Sequence, residues 1–111
     1  MKRGEVWMVD FGPPMGPEQA GRRPAVILQD DAISPALRTV IVMPLTTNLK
    51  TVDLPTTVRI PAGVGGLPKE SVALCHQVQV RGKVRLLAKI GVLPEATFDE
   101  LLDGLRETIG L

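Results

Sequence analysis

Ten prolines and eleven glycines are spread through 111 residues, and they cut the chain into short apolar segments rather than long helical ones. Proline fixes φ and removes a backbone donor, while glycine weakens the interior of any regular element, so short strands and turns are what fit between them. In "EVWMVDF", Trp7, Val9 and Phe11 alternate with Val6, Met8 and Asp10. "PAVILQ", "TVIVMPL", "TTVRI" and "SVALCHQVQV" are further β-branched or apolar runs bounded by turn residues. Five strands are expected from these runs, with "RLLAKI" a weaker sixth. "FGPPMGPEQAG", "NLKTVDLP" and "PAGVGGLPKE" read as loops. The expected product is a sheet or small barrel.

The end of the chain differs. Phe98, Leu101, Leu102, Leu105 and Ile109 recur at helical spacing, Pro94 suits a first turn, and Glu95, Asp99 and Glu100 suit the positive end of a helix dipole. Gly104 inside this helix costs roughly 1 kcal/mol relative to alanine, so packing of the leucine face has to supply much of its stability.

The length suits one domain, 1–111. No apolar run approaches the roughly 18 residues of a membrane span or follows the plan of a signal peptide, so no membrane association and a cytoplasmic location are expected. One cysteine, Cys75, forms no internal disulfide, and one histidine leaves little to build a zinc site. No metal or cofactor is expected. Thirteen bases against twelve acids give a net charge of +1, which by itself says nothing about nucleic acid. The distribution says more: five of the acids but one base, Arg106, follow Pro94, leaving twelve bases against seven acids in the preceding region. The body is basic and the tail acidic.

Three stretches can carry chemistry. In "EQAGRRPAVILQD", Pro24 disfavours a helical backbone at Arg23 and holds it extended at a strand entrance. An arginine there offers a planar fork to phosphate oxygens, or else pairs with a carboxylate such as Glu18 or Asp30. "MPLTTNLK" sets Thr46, Thr47 and Asn48 between a strand and Lys50; Thr46 and Thr47 point to opposite faces if the strand persists, and either hydroxyl can instead satisfy the local backbone. In "SVALCHQVQV", strand alternation puts Val72, Leu74, Val78 and Val80 on one face with His76, and Gln77 and Gln79 on the other with Cys75. Cys75 and His76 then point apart, against a nucleophilic dyad. His76 serves as a hydrogen-bonded barrel-mouth residue, a base contact or a proton carrier. Arg81, Lys83 and Arg85 add basic charge, or simply guard an exposed edge. The glycines of "GVGGLPKE" fit neither phosphate-loop pattern and read as a turn.

The order "KRGEVWMVDF", "GPEQAGRRPAVILQ", "MPLTTN", "LPTTVRI", "SVALCHQVQV" resembles the MazF/PemK toxin endoribonuclease family over nearly the whole chain. The resemblance implies a mainly β fold with a C-terminal helix, a small SH3-like β-barrel shared with gyrase-inhibitor toxins. It also implies a homodimer, a single-stranded RNA substrate and a cognate antitoxin partner. It makes Arg23 the catalytic arginine and Thr46 the catalytic threonine, with Arg22 and Thr47 their neighbours. Glu18 and Gln19 fall in the first substrate-side loop, and His76 and Gln77 fall where a polar pair follows the apolar strand. Together with Arg22, Thr47, Asn48, Lys50 and Arg85, these are the expected RNA contacts. The chain departs from many relatives at His76, where they carry an acid, and at Gln79 and Gly82, where they carry arginine and aspartate.

The implied reaction is cleavage by the RNA's own 2′-hydroxyl through a phosphorane, whose charge Arg23 stabilises while Thr46 hydrogen-bonds a phosphate oxygen, with no metal. Arginine stays protonated, which suits electrostatic stabilisation rather than general-base work. Two other readings use the same fold: a toxin that binds a protein target such as DNA gyrase without cutting RNA, and an RNA-binding barrel without catalysis.

Overall fold

The computed structural model describes residues 1–17, 19–51 and 54–111. Among the described residues seven strands precede one helix: β1 (Glu5–Asp10), β2 (Arg22–Ile27), β3 (Thr39–Thr46), β4 (Thr57–Ile60), β5 (Ser71–Leu74), β6 (Gln79–Gly82), β7 (Leu86–Val92) and α1 (Glu95–Ile109). All pairings are antiparallel, in the order β4-β5-β3-β2-β1-β7, with β6 also on β3. Nothing pairs β4 with β7 among the described residues, so the expected barrel is an open sheet. A single turn of 3-10 helix, Val64–Gly66, packs against β7 instead of a closing ladder. Its glycines are required there. Gly65 and Gly66 hold φ of 64° and 78°, and a Cβ on Gly66 or Gly91 would overlap the backbone of Ile90 or Gly65.

The continuous apolar run at β2 reflects burial on both faces of the sheet. Val26 and Leu28 join Val6, Met43, Leu45, Ile60, Phe98 and Leu101 in the core beneath α1. Ala25 and Ile27 point the other way, into a second cluster with Val9, Phe11, Val40 and Val42. Each fully buried Val, Leu, Ile or Met side chain among these stabilises the fold by about 1.5–3 kcal/mol.

The predicted strand over 71–80 is two strands. β5 pairs with the C-terminal end of β3 (Leu45↔Ala73), whereas β6 pairs with its N-terminal end (Val42↔Gln79). A short 3-10 turn, Cys75–Gln77, absorbs the register shift between them. This overturns the expected alternation: Val72, Ala73, Leu74 and Cys75 are all buried, and Val80 is 55% exposed. "RLLAKI" is the core of β7, which pairs with β1 through two register shifts. Its outward residues Leu87, Ala88 and Lys89 are exposed, which explains its weak apolar signature.

The helix forms as expected, with Pro94 at the residue before it rather than inside its first turn, and Gly110 closing it at φ 75°. Ile109 lies beyond the buried stripe and is 57% exposed. Gly104 lets α1 approach the Cys75–Gln77 turn, since an added Cβ would sit 2.6 Å from Cys75 Sγ. No helix of the described residues is long and apolar enough to cross a membrane.

Glu5 is buried in β1 at 8% exposure. Its carboxylate accepts hydrogen bonds from Lys89 Nζ at 2.8 Å, Trp7 Nε1 at 3.0 Å and the Lys2 amide at 2.7 Å. Burial pushes its pKa up, but the Lys89 ammonium, the indole and the amide together outweigh burial and hold it at about 2, below the ordinary 4.5.

Two measurements follow from this packing. Gly104→Ala gains helix propensity yet is expected to lower stability by about 1–3 kcal/mol in chemical denaturation, because the methyl strikes Cys75. For Glu5, a depressed folded pKa gives stabilisation that is fully present above about pH 4.5 and lost as the pH falls towards 2. Glu5→Gln should flatten that acid limb of a stability–pH curve and lower stability at neutral pH.

Candidate active site

Arg23 and Thr46 lie on the face of the second cluster. Arg23 pairs with the buried Val9 across β1. The β2–β3 ladder ends at Ala25↔Pro44, and continuing that register by two residues sets Arg23 opposite Thr46. Cross-strand partners share a face, so the guanidinium and the hydroxyl emerge from the same side of the sheet. Their neighbours do not: Arg22 and Thr47 are exposed where Thr46 is 6% exposed and Arg23 half-buried, as strand alternation predicts.

Arg23 forms no ion pair among the described residues. Its Nε donates to the Ala20 carbonyl at 2.8 Å, which orients the fork without neutralising it. The expected alternative partner Asp30 follows the far end of β2, and Glu18 lies outside the described residues. Thr46 Oγ1 accepts from the Asn48 amide at 3.1 Å, and Asn48 Oδ1 accepts from the Lys50 amide at 3.1 Å. The local-backbone role considered for these side chains is therefore present. It uses the hydroxyl oxygen as acceptor and leaves its proton to donate elsewhere. Lys50 itself is exposed in the 49–51 turn.

Gln77 Oε1 accepts from the Gln19 amide at 3.0 Å, tying the loop between β1 and β2 to the Cys75–Gln77 turn. His76 is exposed on this turn while Cys75 is buried beneath α1, its Sγ donating to the Leu101 carbonyl at 3.8 Å. The two side chains point apart, as expected, though the cause is a turn rather than a continuing strand. Burial pushes the Cys75 thiol up to about 11, so it carries no nucleophile at neutral pH.

Two cavities open beside β6. One, of about 310 Å³, is lined by His76, Gln77, Val78, Gln79 and Arg81. The other, of about 410 Å³, includes Phe11, Gly12, Gln19, Arg81 and Arg85 in its lining. Arg85 stands 3.8 Å from Asp10 Oδ2 in a half-exposed ion pair worth little to stability. Arg81, read from the sequence as generic basic charge, borders both cavities; its two-residue spacing from Gln79 is the only sequence signal that sets it apart. A further cavity of about 420 Å³ at the start of α1, lined by Arg3, Asp31, Glu95 and Asp99 among others, contains none of the expected site residues, and its three acids disfavour phosphate. No group of three or more His, Cys, Asp or Glu among the described residues is placed to hold a metal ion.

An open antiparallel sheet with one terminal helix, bearing a threonine and an arginine without an ion pair among the described residues on one face, defines the class as a small, mainly β protein. Residues 2–109 match the model of the "PemK-like, MazF-like toxin of type II toxin-antitoxin system" family, and the chain belongs to that family. The endoribonuclease MazF of Staphylococcus epidermidis is 36% identical over 111 residues, covering 100% of this chain and 92% of the relative. The endoribonuclease EndoA of Bacillus subtilis is 34% identical, covering 100% and 96% respectively. Among solved structures, a MazE–MazF crystal structure from Deinococcus radiodurans superposes with a TM-score of 0.80 at 25% identity, covering 100% of this chain and 96% of that one.

The buried thiol supplies a direct check on this geometry. A soluble disulfide reagent is expected to label Cys75 only in denaturant; rapid labelling of the folded protein would place the thiol at the surface and undo the dyad argument.

Proposed function

We propose that this chain is the toxin of a type II toxin–antitoxin pair and cuts single-stranded RNA as a metal-independent endoribonuclease. The observation that carries the reading is an Arg23 guanidinium without a carboxylate partner among the described residues, held by a hydrogen bond to the Ala20 carbonyl at a strand position that falls opposite Thr46 when the β2–β3 register is continued past Ala25↔Pro44. The relatives named endoribonuclease MazF and EndoA point to the same activity.

In this reading the ribose 2′-hydroxyl attacks the adjacent phosphorus, and the bond to the 5′-oxygen of the next nucleotide breaks. Arg23 stabilises the charge that grows on the phosphorane oxygens, where a fixed donor is worth about 10²–10³ in rate. The Thr46 proton bonds one of those oxygens while Asn48 continues to orient the hydroxyl. Gln19, Gln77 and His76 contact the RNA on one side, and Arg22, Thr47, Asn48, Lys50 and Arg85 line its path. Glu18 belongs to the same loop. The chain acts as one toxin domain, 1–111, in a cytoplasmic homodimer. The D. radiodurans MazF is found with MazE, and the partner here is a cognate antitoxin whose acidic or amphipathic segment covers the basic groove.

Arg23→Ala is expected to reduce cleavage about 10²–10³-fold with the fold retained. Because Thr46 is buried and caps the Asn48 amide, Thr46→Ala should lose both activity and about 1 kcal/mol of stability, whereas Thr46→Ser should retain most of each. Arg22→Ala and Thr47→Ala should be milder. Mapping RNA ends made in excess chelator reads all of these. Deoxyribose placed immediately upstream of the cut should abolish cutting without abolishing binding. Continued cutting at that phosphate rejects 2′-hydroxyl attack, and a folded protein that makes no defined cut favours a toxin acting on a protein target.

A further inference from the structure

We infer that Arg81 binds an RNA phosphate several nucleotides away from the one that is cut, and that the cavities on its two sides receive the nucleotides this phosphate joins. The inference rests on the RNA-cutting reading and adds a binding residue and two subsites to it.

Arg81 pairs with Val40 in the β3–β6 ladder and Gln79 with Val42, so both side chains lie on the face that carries Thr46. Six residues separate Val40 from Thr46 along β3, or about 20 Å at 3.3 Å per residue. That separation is too long for Arg81 to reach the scissile phosphate and suits a later phosphate of the same strand. The guanidinium is prepared for an anion. Its Cζ lies 5.6 Å from the centre of the buried Phe11 ring, which fixes the plane of the fork. Its one hydrogen bond runs from Nη1 to the neighbouring Val80 carbonyl at 2.9 Å, and no carboxylate pairs with it among the described residues. The remaining donors of the fork have no partner among the described residues.

The surroundings on each side match a nucleotide rather than a bare ion. The cavities, about 310 and 410 Å³, fall at the size at which small organic groups are enclosed. One presents the amides of Gln77 and Gln79 and the imidazole of His76, which can bond base edges. The other has an apolar floor at Phe11, and Gln19 on its wall. Gln19 Oε1 is the buried side-chain oxygen without a hydrogen-bond partner among the described residues. An orphaned buried amide next to an open cavity is satisfied by a ligand group that donates.

Arg81→Met separates charge from packing, because it keeps an apolar stem on Phe11 and removes the guanidinium. Binding is read by fluorescence anisotropy with a labelled, mixed-sequence single-stranded oligoribonucleotide in chelator, across a series of salt concentrations. The expected result is an unchanged thermal midpoint, affinity reduced about tenfold, and a salt slope shallower by about 0.7, the loss of one single-strand phosphate contact. Arg81→Lys should restore the slope but not all of the affinity. Cleavage by Arg81→Met should show a raised KM with kcat little changed. Unchanged affinity and slope in Arg81→Met, with wild-type protein that cuts RNA, overturns the inference alone. Wild-type protein that neither cuts nor binds RNA overturns the function on which it rests.

Discussion

The whole arrangement hangs on β3 serving three partners. One edge takes β2; the other takes β6 at its beginning and β5 at its end. Because β5 and β6 meet it in different registers, the chain between them must leave the ladder. The Cys75–Gln77 turn is where it does so. That turn drives Cys75 into the core, turns His76 outward and gives Gln77 the position from which it holds the Gln19 amide. It also creates the hollow into which α1 fits, and Gly104 is the concession the helix makes to reach it. A continuous ten-residue strand over 71–80 would have none of these features.

The same strand explains why the polar groups collect on one side. Apolar residues of β1, β2 and β3 fill the second cluster, and beyond its margins the side chains pointing the same way are Arg23, Thr46, Gln79 and Arg81. Inside a low-dielectric core these groups would be costly; at its margin Arg23, Gln79 and Arg81 keep access to solvent and the buried Thr46 hydroxyl accepts the Asn48 amide, while the apolar residues beneath hold the strands that carry them. Charge is handled differently elsewhere. Glu5 is buried with Lys89, Trp7 and the Lys2 amide around it and is fully committed to structure. Among the described residues Arg23 and Arg81 donate to backbone carbonyls and form no ion pair, so their charge is not committed to a carboxylate there.

Much of this was legible beforehand. The apolar runs located β1 to β5 because β-branched residues between turn residues have few alternatives; the leucine spacing located α1, and Pro94 placed its start to within a residue. The separation of Thr46 from Thr47 and of Arg22 from Arg23 follows from the two-residue period of a strand. The alternation over 71–80 failed because periodicity assumes an uninterrupted ladder, and the interruption is imposed by β3, more than twenty-five residues earlier in the chain. Barrel closure failed for a related reason. Pairing of β4 with β7 is a long-range matter, and glycines 65, 66 and 91 let the turn expected in "GVGGLPKE" lie against β7 in place of a closing ladder.

Sequence by itself determined the element types, the basic body and acidic tail, the opposite directions of Thr46 and Thr47, and the family to which the chain belongs. These depend on local sterics, on side-chain period and on the order of motifs, all of which are properties of the chain read in one dimension. Tertiary structure alone decided that Arg23 has Ala20 rather than a described carboxylate as its partner, that Glu5 is the buried acid, and that Arg81 stands between two cavities. Ala20 is a local partner three residues from Arg23, but the Glu5–Lys89 pair and the seat of Arg81 on Phe11 join segments far apart in the chain through strand register, and register is fixed only when both faces of the sheet are packed.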